Sequence, residues 1–537
     1  MILGKSNNMM GNSFKTAFLI SNLNELPEWE IEMIRNLRNS GVVTIDAFII
    51  VSQTTEEKKS SGVKFFQKFE NCWFRSVQDA FRKSAVSKEF STVPVIDITE
   101  NKKVLALSLD IIYCSCLVAV KDEFIPFARH GLWYIGFGSD NSSNYNEVAF
   151  WEVMNNSPEI GSALLVKLAE TSEIITILKG TTTTVPYSVK NTLNIIGWKS
   201  SSFLSYRLSE LSKMGADLFF SKYKKSGKGV QKETLINSSK YPGNLKLSAL
   251  FIRNIARYLG SKFSKFFGEK KFTLLFSRQE FKIPGVDFNS FTPLKLPKGT
   301  FWADPFVIEK EQKTYIFFEE FLYEKRKAHI SVLELGKDGH YTEPVMVLDK
   351  PYHLSYPFIF ESEKTLYMIP ETSVNKTVEL YKCTAFPLKW EFVKNLMEDL
   401  VLTDVTLLYH QGKWWLFGTV QNHPSTSTND QLFLYYSDKF FSSDWTPHPQ
   451  NPVATIISNC RPAGNIFKAS GKLYRPAQNN SSKQYGYAIK INEIEVLNET
   501  EYREREVFEV IPDKKNKLSA IHTMNFVDNL IVIDGIV

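Results

Sequence analysis

The sequence predicts an α/β domain of the Rossmann-like type followed by an all-β propeller of five blades, and two patterns carry this prediction. In residues 14–220, short apolar runs alternate with segments of helical periodicity, which is typical of a parallel sheet with crossover helices. In residues 272–537, a pair of aromatic-rich runs joined by a polar turn occurs five times. A strand-built repeat of roughly 50 to 60 residues indicates one four-stranded sheet per copy. Residues 221–271 are predicted to be a basic linker that contains a helix.

The elements of the first domain follow from the spacing of apolar residues. The continuous apolar run 14–20 predicts a buried first strand, and Ile31, Ile34 and Leu37 predict a helix over 29–39. The later predictions, in chain order, are strand 42–51, helices 63–74 and 77–81, strands 93–98, 107–115 and 189–198, and helix 203–214.

Four longer motifs in this domain are specific enough to suggest a family. They are DIIY at 110–113, ARHGLWYIG at 128–136, AFWEVMN at 149–155 and EIGSALLVKL at 159–168. Together they resemble the folate-dependent formyltransferase domain over residues 14–210. The resemblance implies a small-molecule pocket at the carboxyl ends of the strands.

The residues that formyl transfer needs do not stand at the positions the resemblance implies. Active members of that family carry Asn-x-His after a glycine and an Asp beyond the last strand. Tyr134 and Gly136 stand at the first two positions, and the third falls near Ala169, with Glu170 and Glu173 nearby. Because formyl transfer requires a proton shuttle and an oxyanion donor, we interpret the domain as an inactive relative and expect no folate cofactor.

Composition limits the class of protein. The chain has 537 residues, 43% of them apolar, and a net charge of +6, which does not indicate a nucleic-acid binder. Five cysteines are scattered along the chain without the spacing of a zinc site, so we expect reduced thiols and no metal. Residues 1–16 lack an apolar core, so we expect no signal peptide and a cytoplasmic location.

The segment between the domains is basic. Residues 222–229 are rich in lysine and glycine and predict a loop. Residues 245–267 are amphipathic, with Arg253, Arg257, Lys262 and Lys265. Two interpretations of 245–271 stay open: peripheral contact with an anionic membrane surface, or a linker helix with a solvated basic face.

The propeller repeat is clearest in its first copy. Residues 301–307 (FWADPFV) run from an Asp-Pro pair into an apolar stretch, and residues 315–320 (YIFFEE) return after a polar turn. Each copy therefore predicts a hairpin at the start of a blade. The later copies begin at 355, 403, 463 and 522. Residues 272–276 are expected to join the ring as an outer strand.

Equivalent positions in successive blades converge, because the innermost strand of each blade lines the central channel. Here those positions are Asp304, Ser355 or Tyr356, Asp404, one of residues 461–464, and His522. Such a group of polar side chains is costly to assemble unless it binds something. The alternative is that they cap strand ends and meet water.

The Ala-Asp-Pro motif and the five copies resemble the five-bladed propeller glycosidases. By position, the resemblance implies that Asp304 is the general base and Asp404 the residue that tunes it. The acid of blade four is missing, because residues 460–464 read CRPAG. Since glycoside cleavage normally needs an acid on the leaving oxygen, plain hydrolysis is not favoured.

A second resemblance covers residues 295–537. Its motifs are HLSYP at 353–357, MIPE at 368–371, LY at 380–381, FPLKW at 386–390 and WWLFG at 414–418. They resemble the N-terminal propeller of glucosamine inositolphosphorylceramide transferases, plant proteins in which the glycosyltransferase domain is a separate module.

Further candidates lie on the second strands of the blades and beside them. Glu319, Glu320 and Glu371 could supply the missing acid. Arg461 and Arg475 fit a phosphate or carboxylate. His353 and Tyr356 are expected to bind sugar hydroxyls. The predicted site is thus Asp304, Asp404, Glu371 and Glu320 as catalytic residues, with His353, Tyr356, Arg461, Arg475, His522 and Trp302 as substrate contacts.

Three functions fit these observations. The first is a sugar transferase, or a glycosidase-like enzyme, in cell-surface polysaccharide or glycolipid synthesis, acting on a sugar or on a phosphorylated or acidic glycan. The second is a glycan-binding or scaffold protein without catalysis. The third is a formyl- or acyltransferase that acts on an amino sugar nucleotide.

Overall fold

A computed structural model describes most of the chain. The described residues are 13–51, 61–74, 78–86, 89–116, 118–138, 149–169, 171, 173–225, 230–231, 241–266, 271–281, 285, 287–482, 485–512, 515 and 518–537. The chain divides into two compact units. Residues 5–267 and 422–427 form the α/β unit, and residues 268–421 and 428–537 form the propeller unit.

The α/β unit contains one large sheet and eight helices among its described residues. Its strands are β1 (Phe14–Ile20), β2 (Leu26–Pro27), β3 (Val43–Ile50), β4 (Lys83–Ser84), β5 (Val95–Asp97), β6 (Ile111–Cys114), β7 (Leu132–Phe137), β8 (Glu159–Lys167), β9 (Ile174–Thr183) and β10 (Val230–Gln231). Its helices are α1 (Glu28–Ser40), α2 (Ser61–Trp73), α3 (Asn101–Ala106), α4 (Phe150–Met154), α5 (Val189–Ser200), α6 (Phe203–Met214), α7 (Ala216–Lys225) and α8 (Asn244–Phe266), with a 3-10 helix at Asp122–Phe127.

The sheet is mixed. Its order is β10-β9-β8-β7-β6-β1-β3-β5. The strands β5, β3, β1, β6 and β7 are parallel, whereas β8, β9 and β10 run antiparallel to their neighbours. The predicted α/β class is therefore confirmed. Tyr134 and Gly136 both lie on β7, opposite Leu165 and Ala163 of β8.

Two predicted elements of this unit are wrong. Residues 189–198 form helix α5 and not a strand, and the Ser188 hydroxyl caps the helix by accepting a hydrogen bond from the Asn191 backbone amide at 3.1 Å. The short apolar run inside this helix resembles a buried strand, and length alone separates the two. Residues 78–81 form a turn where a helix was predicted, and residue 77 lies outside the described part of the chain.

The predicted linker is not a separate segment. Helices α7 and α8 belong to the α/β unit, which extends to residue 267. The middle of the lysine- and glycine-rich loop, 226–229, lies outside the described residues. In the part of the chain that the structure describes, no helix combines the length and apolarity needed to cross a bilayer.

The propeller unit contains five antiparallel sheets of four strands each. In chain order the strands are β11 (Phe272–Ser277), β12 (Thr292–Pro293), β13 (Thr300–Lys310), β14 (Lys313–Leu322), β15 (Lys327–Leu335), β16 (Val345–Leu348), β17 (Ser355–Ser362), β18 (Thr365–Thr372), β19 (Thr377–Ala385), β20 (Lys389–Glu398), β21 (Leu402–His410), β22 (Lys413–Val420), β23 (Leu432–Ser437), β24 (Thr446–Pro447), β25 (Phe467–Ala469), β26 (Lys472–Asn479), β27 (Ala488–Leu497), β28 (Tyr502–Val510), β29 (Met524–Val527) and β30 (Leu530–Ile536). The five-bladed propeller is therefore as predicted.

The ring is closed by strands from both ends of the unit. Blades one to four are β13–β16, β17–β20, β21–β24 and β25–β28, and blade five has the order β12-β11-β30-β29. β11 pairs with β30 from Phe272–Ile536 to Ser277–Ile531, so it is the third strand from the axis. Apolar clusters fill the space between blades, for example Leu274, Trp302 and Val532 between blades five and one. Residues 272–276 thus enter the ring on its outer side.

Candidate functional site

Four blades place the same backbone irregularity at the start of their innermost strand. Asp304, Tyr356, Asp404 and Gly464 all have positive φ, at 51°, 42°, 52° and 126°. In the first three blades, strand pairing shifts register at this position. A positive φ is unfavourable for residues other than glycine, so the surrounding structure must impose it. The irregularity brings one residue of each blade to the axis.

Asp304 is buried and joins three blades. Its Oδ1 accepts a hydrogen bond from the Thr523 hydroxyl at 2.6 Å, and its Oδ2 accepts one from the Tyr356 amide at 3.2 Å. Its own amide donates to Asp534 Oδ2 at 2.9 Å. Burial raises the pKa of Asp304 to about 7, although the nearby His522 lowers it. The carboxylate is thus held at the centre of the ring and not in an open hollow.

Asp404 is also buried, and Arg461 holds it with two nitrogens. Arg461 Nη2 donates to Asp404 Oδ1 at 3.0 Å, and Arg461 Nε donates to Oδ2. Gln478 Nε2 donates to the same Oδ2 at 3.0 Å. Burial raises the pKa of Asp404 to about 7, against the lowering effect of Arg461. Glu371 raises it further.

The predicted role of Arg461 as a free anion holder needs correction. Its Nη2 also donates to Glu371 Oε2 at 3.3 Å, and its Nη1 donates to Asn429 Oδ1 at 2.7 Å. The guanidinium therefore already links Asp404, Glu371 and Asn429. Its role in the site is to position these groups.

Tyr356 is a fixed part of the ring and not a sugar contact. Its hydroxyl accepts a hydrogen bond from the Gly464 amide at 2.8 Å and lies 2.9 Å from Thr406 Oγ1 and 3.2 Å from the Gly464 carbonyl oxygen. The side chain is fully buried. The predicted substrate contact at Tyr356 is therefore wrong, because its hydroxyl is occupied by blades three and four.

His522 lies between two carboxylates. Its Nε2 is 3.4 Å from Asp304 Oδ1, and its Nδ1 is 2.8 Å from Asp534 Oδ1. These acidic partners raise the pKa of His522 to about 9, although burial alone lowers it. Asp534 and Asp304 thus favour the protonated form of the buried His522.

The same three residues are the one group among the described residues whose ligand atoms lie close enough to hold a metal ion. These atoms are within 4.8 Å of one another. Asp534 Oδ1 accepts hydrogen bonds from the amides of His522 and Thr523, at 3.0 and 2.9 Å, and its Oδ2 accepts the Asp304 amide. These hydrogen bonds already occupy both carboxylate oxygens of Asp534.

Polar groups lie around these buried aspartates, and we call them the mouth cluster: the buried Glu319 and the partly exposed His353, Glu371, Arg461 and Tyr485. His353 Nε2 is 3.2 Å from Glu319 Oε1, and Glu319 raises the pKa of His353 against the opposing effect of burial. Glu371 Oε1 accepts a hydrogen bond from Ser373 Oγ at 2.7 Å. Arg461 lies 5.7 Å from the centre of the Tyr485 ring, which is 43% exposed.

Electrostatic contacts connect the mouth cluster to the axis. Asp304 and Glu371 both raise the pKa of His353. Tyr485 interacts with Arg461 and with the carboxylates of Asp404, Asp304 and Glu371. The cluster thus combines a partly accessible carboxylate at Glu371, a buried carboxylate at Glu319, an imidazole and a phenol. Such groups can accept a proton from a hydroxyl, contact an anion and stack on a sugar ring.

Glu320 and Trp302 lie elsewhere. Glu320 accepts hydrogen bonds from Trp302 Nε1 at 3.2 Å and Ser331 Oγ at 2.7 Å, and lies 3.2 Å from His329 Nε2. Burial alone would raise the pKa of Glu320, but these three partners hold that pKa below its usual range. Because neighbouring residues on a strand point to opposite faces, Glu319 and not Glu320 reaches the mouth. The predicted roles of Glu320 and Trp302 are corrected accordingly.

Arg475 is buried in blade four, away from the mouth cluster. Its Nε and Nη2 pair with Glu504 at 2.8 and 2.7 Å, and Nη2 also donates to the Asn459 carbonyl. It therefore connects strands β26 and β28 and is not a substrate contact. Of the predicted residues, the structure brings together Asp304, Asp404, Glu371, His353, Arg461 and His522.

Sequence reasoning missed several contributors. Asp534 and Thr523 form hydrogen bonds with Asp304. Asn429 accepts a hydrogen bond from Arg461, and Gln478 donates one to Asp404. Asp534 ends the apolar run 530–533, and this polar end of a predicted strand was a usable signal. Tyr485 lies in a loop before β27, where no periodic pattern points to it.

Comparison with known proteins gives a match for the propeller. Residues 288–525 match the family described as the N-terminal region of glucosamine inositolphosphorylceramide transferase 1. The protein of that name from Arabidopsis thaliana is 34% identical over 240 residues, which is 44% of this chain and 31% of the relative. The one from Oryza sativa subsp. japonica is 34% identical over 231 residues, 42% of this chain and 31% of the relative. The aligned part thus spans about a third of these relatives.

Solved structures with a related architecture are distant. A family 117 glycoside hydrolase from Zobellia galactanivorans is 12% identical, with 50% of this chain and 91% of that chain covered and a TM-score of 0.33. A β-1,2-mannobiose phosphorylase from Listeria innocua is 9% identical, and the match covers 45% of this chain and 92% of that one, with a TM-score of 0.33.

Proposed function

We propose that the protein is a sugar transferase in glycolipid or cell-surface polysaccharide synthesis and that the mouth cluster holds the sugar. The observation that carries this proposal is the grouping of Glu371, Glu319, His353 and Tyr485 above two buried aspartates at the propeller axis. The relatives whose N-terminal region the propeller matches are named glucosamine inositolphosphorylceramide transferases, and this name is the further support for sugar transfer.

The buried aspartates take a structural role in this proposal. Asp304 and Asp404 have their oxygens engaged by neighbouring blades, and neither is exposed. The proposed base is Glu371, which is partly exposed and is oriented by Arg461 and Ser373. Asp404 acts through Arg461 as a positioning residue.

The proposed step is transfer of a sugar from a phosphorylated donor to a hydroxyl. The bond from the anomeric carbon to the phosphate oxygen breaks, and its electrons stay on the phosphate. The acceptor oxygen forms the new bond, and its proton passes to Glu371. In this step His353, which lies 3.2 Å from Glu319 and whose pKa Glu319 raises against the effect of burial, contacts the phosphate. Phosphate leaves as an anion, so the missing acid of blade four is not required.

The relatives' name pairs glucosamine with a phosphorylated inositol lipid. We therefore propose an amino-sugar donor and a phosphoinositol lipid acceptor for this chain. The test is transfer of label from radiolabelled UDP-N-acetylglucosamine to phosphatidylinositol vesicles by the full chain. Glu371→Gln is expected to reduce transfer by about 100-fold or more, because a general base is lost.

Glu320→Gln is the matched control for this experiment. This variant removes a carboxylate of blade one that lies outside the mouth cluster. The rate of transfer should stay within about twofold of the wild-type rate once the variant is shown to fold. Equal activity of Glu371→Gln and wild-type protein would contradict the assignment of the base.

A second candidate is a glycan-binding module without catalysis. The burial of Asp304 and Asp404 favours it, because the two positions that the glycosidase resemblance marks as catalytic are inaccessible. Calorimetric binding of UDP-N-acetylglucosamine without transfer of label would support this candidate over the first.

For the α/β unit we propose an inactive relative of the formyltransferase domain. The support is the motif likeness together with Tyr134 and Gly136 on β7, where active members carry Asn and His. Transfer of a formyl group from formyl-tetrahydrofolate to an amino sugar nucleotide would contradict this proposal. We also propose the cytoplasm as the compartment, because all five cysteines are unpaired.

A further inference from the structure

Helix α8 exposes a row of large apolar side chains. Leu245, Ile252 and Leu259 are spaced by seven residues, which is about two helical turns, so they lie on one side of the helix. They are 91%, 68% and 53% exposed. Ala249 and Ala256 lie on the same side and are also exposed. The opposite side, with Leu247 and Asn254, is buried.

Helix α2 extends this apolar surface. The two helices run side by side in the same direction, because Gly62 packs near Asn244, and the rings of Phe69 and Phe251 lie 4.7 Å apart. Phe65 on α2 contacts Phe251, and Trp73 contacts Tyr258, which places them beside Ile252 and Leu259. Phe65 and Trp73 are themselves 63% and 58% exposed. We call these two residues, with Leu245, Ile252 and Leu259, the apolar face.

Among the described side chains of α2 and α8, the exposed charges beside the apolar face are positive. Lys64 and Lys68 on α2, and Lys246 and Lys262 on α8, are exposed. Helix α8 contains no Asp or Glu, and the single acid of α2, Glu70, is buried. Glu70 accepts hydrogen bonds from the Ser188 hydroxyl and the Lys190 amide, so it does not offset the lysines at the surface.

The arginines of α8 are not part of this surface. Arg257 donates to the carbonyl oxygens of Val153 and Met154, at 2.8 and 3.0 Å, and Arg253 also donates to Met154. They are anchored to the end of α4. Of the basic residues in 245–271, the two arginines are therefore engaged within the α/β unit, whereas Lys246 and Lys262 are exposed beside the apolar face.

We propose that the apolar face docks on an anionic bilayer surface, with Leu245, Ile252 and Leu259 inserted among the acyl chains. An amphipathic helix of this kind lies in the plane of the interface, and lysines beside it bind anionic headgroups. A second copy of the chain is a poorer occupant, because it would bring lysines against lysines without a carboxylate on either helix to pair them. The surface lies on the α/β unit, so it is independent of the sugar site.

The test is co-sedimentation of the full chain with vesicles. One set contains phosphatidylcholine alone, and the other contains equal parts of phosphatidylcholine and phosphatidylglycerol. Wild-type protein should bind the anionic vesicles and not the neutral ones. The double variant Ile252→Asp with Leu259→Asp should lose at least about tenfold in partitioning, because two large apolar groups no longer insert. Reversal of Lys64, Lys68 and Lys262 to Glu should cost on the order of fivefold per lysine.

Leu218→Asp is the matched control, because Leu218 is 66% exposed on α7 and lies outside the apolar face. It should bind vesicles like the wild type. Circular dichroism of each variant confirms that it is folded. Equal binding of Ile252→Asp with Leu259→Asp and of Leu218→Asp would overturn the proposal. The proposal would also be overturned if the wild type did not bind vesicles and instead sedimented as a dimer that the double variant disrupts.

Discussion

His522 makes the stability of the propeller depend on pH. Its ordinary pKa is 6.5, and Asp534 and Asp304 raise it to about 9 against the effect of burial. Folding therefore favours the protonated imidazole of His522. Its contribution to the free energy of unfolding is fully present below pH 6.5 and is lost as the pH rises through 9. Asp304 acts in the same direction, because burial raises its pKa from 3.8 to about 7 and its contribution declines over that range.

We expect the free energy of unfolding to fall between pH 6.5 and 9 and expect His522→Gln to flatten this dependence. Urea unfolding at a series of pH values measures both. His340→Gln is the control, because His340 is exposed. A His522→Gln curve parallel to the wild-type curve would contradict this account, because it would show that folding does not shift the pKa of the imidazole.

Arg461 shows where residue-level prediction reaches its limit. An arginine near a predicted sugar site suggests an anion holder, and the repeat predicted that Arg461 converges with Asp404, to which it binds in the structure. Its partners could not be read from the sequence, because Asp404, Glu371 and Asn429 come from different blades. Whether a guanidinium is free or paired depends on that tertiary arrangement.

The start of blade four is an element that tolerates only glycine. Gly464 has φ 126°, and a Cβ there would lie 2.1 Å from the Met524 carbonyl oxygen of blade five. We expect Gly464→Ala to lower the free energy of unfolding by about 3 kcal/mol or more, because strain and a backbone clash add. Thermal unfolding followed by circular dichroism measures the loss.

Gly471→Ala is the matched control for this element. Gly471 also has a positive φ, 79°, but a Cβ there would meet nothing within 4 Å. It should cost only about 1 kcal/mol. Equal losses for the two variants would mean that blades four and five do not approach as closely as the structure shows.

Elements were predictable where one periodicity extended over a whole segment. The first strand and the helices α1, α2 and α6 follow from such runs. Helix α5 was mistaken for a strand because its apolar residues 193–196 are nearly contiguous, and its Ser188 cap is decided by local hydrogen bonding. The bulges at Asp304, Tyr356 and Asp404 could not be predicted, because the hydrophobic pattern of a strand does not show where its backbone is irregular.

The candidate site exists only in the closed ring. Glu319 comes from blade one, His353 and Glu371 from blade two, and Arg461 and Tyr485 from blade four and the segments beside it. The fivefold repeat predicted that such residues converge. It could not say that Asp304 and Asp404 are buried, or that Glu319 and not Glu320 faces the mouth, since both depend on packing between blades.

The most direct measurement of the central claim is calorimetric titration of UDP-N-acetylglucosamine into His353→Ala and His329→Ala. His353 belongs to the mouth cluster, whereas His329 pairs with Glu320 away from it. If the mouth cluster holds the sugar donor, His353→Ala weakens binding by at least about tenfold, because a cationic contact to phosphate is lost. His329→Ala then binds like the wild type. Equal affinity of the two variants, or stronger loss in His329→Ala, would contradict the claim.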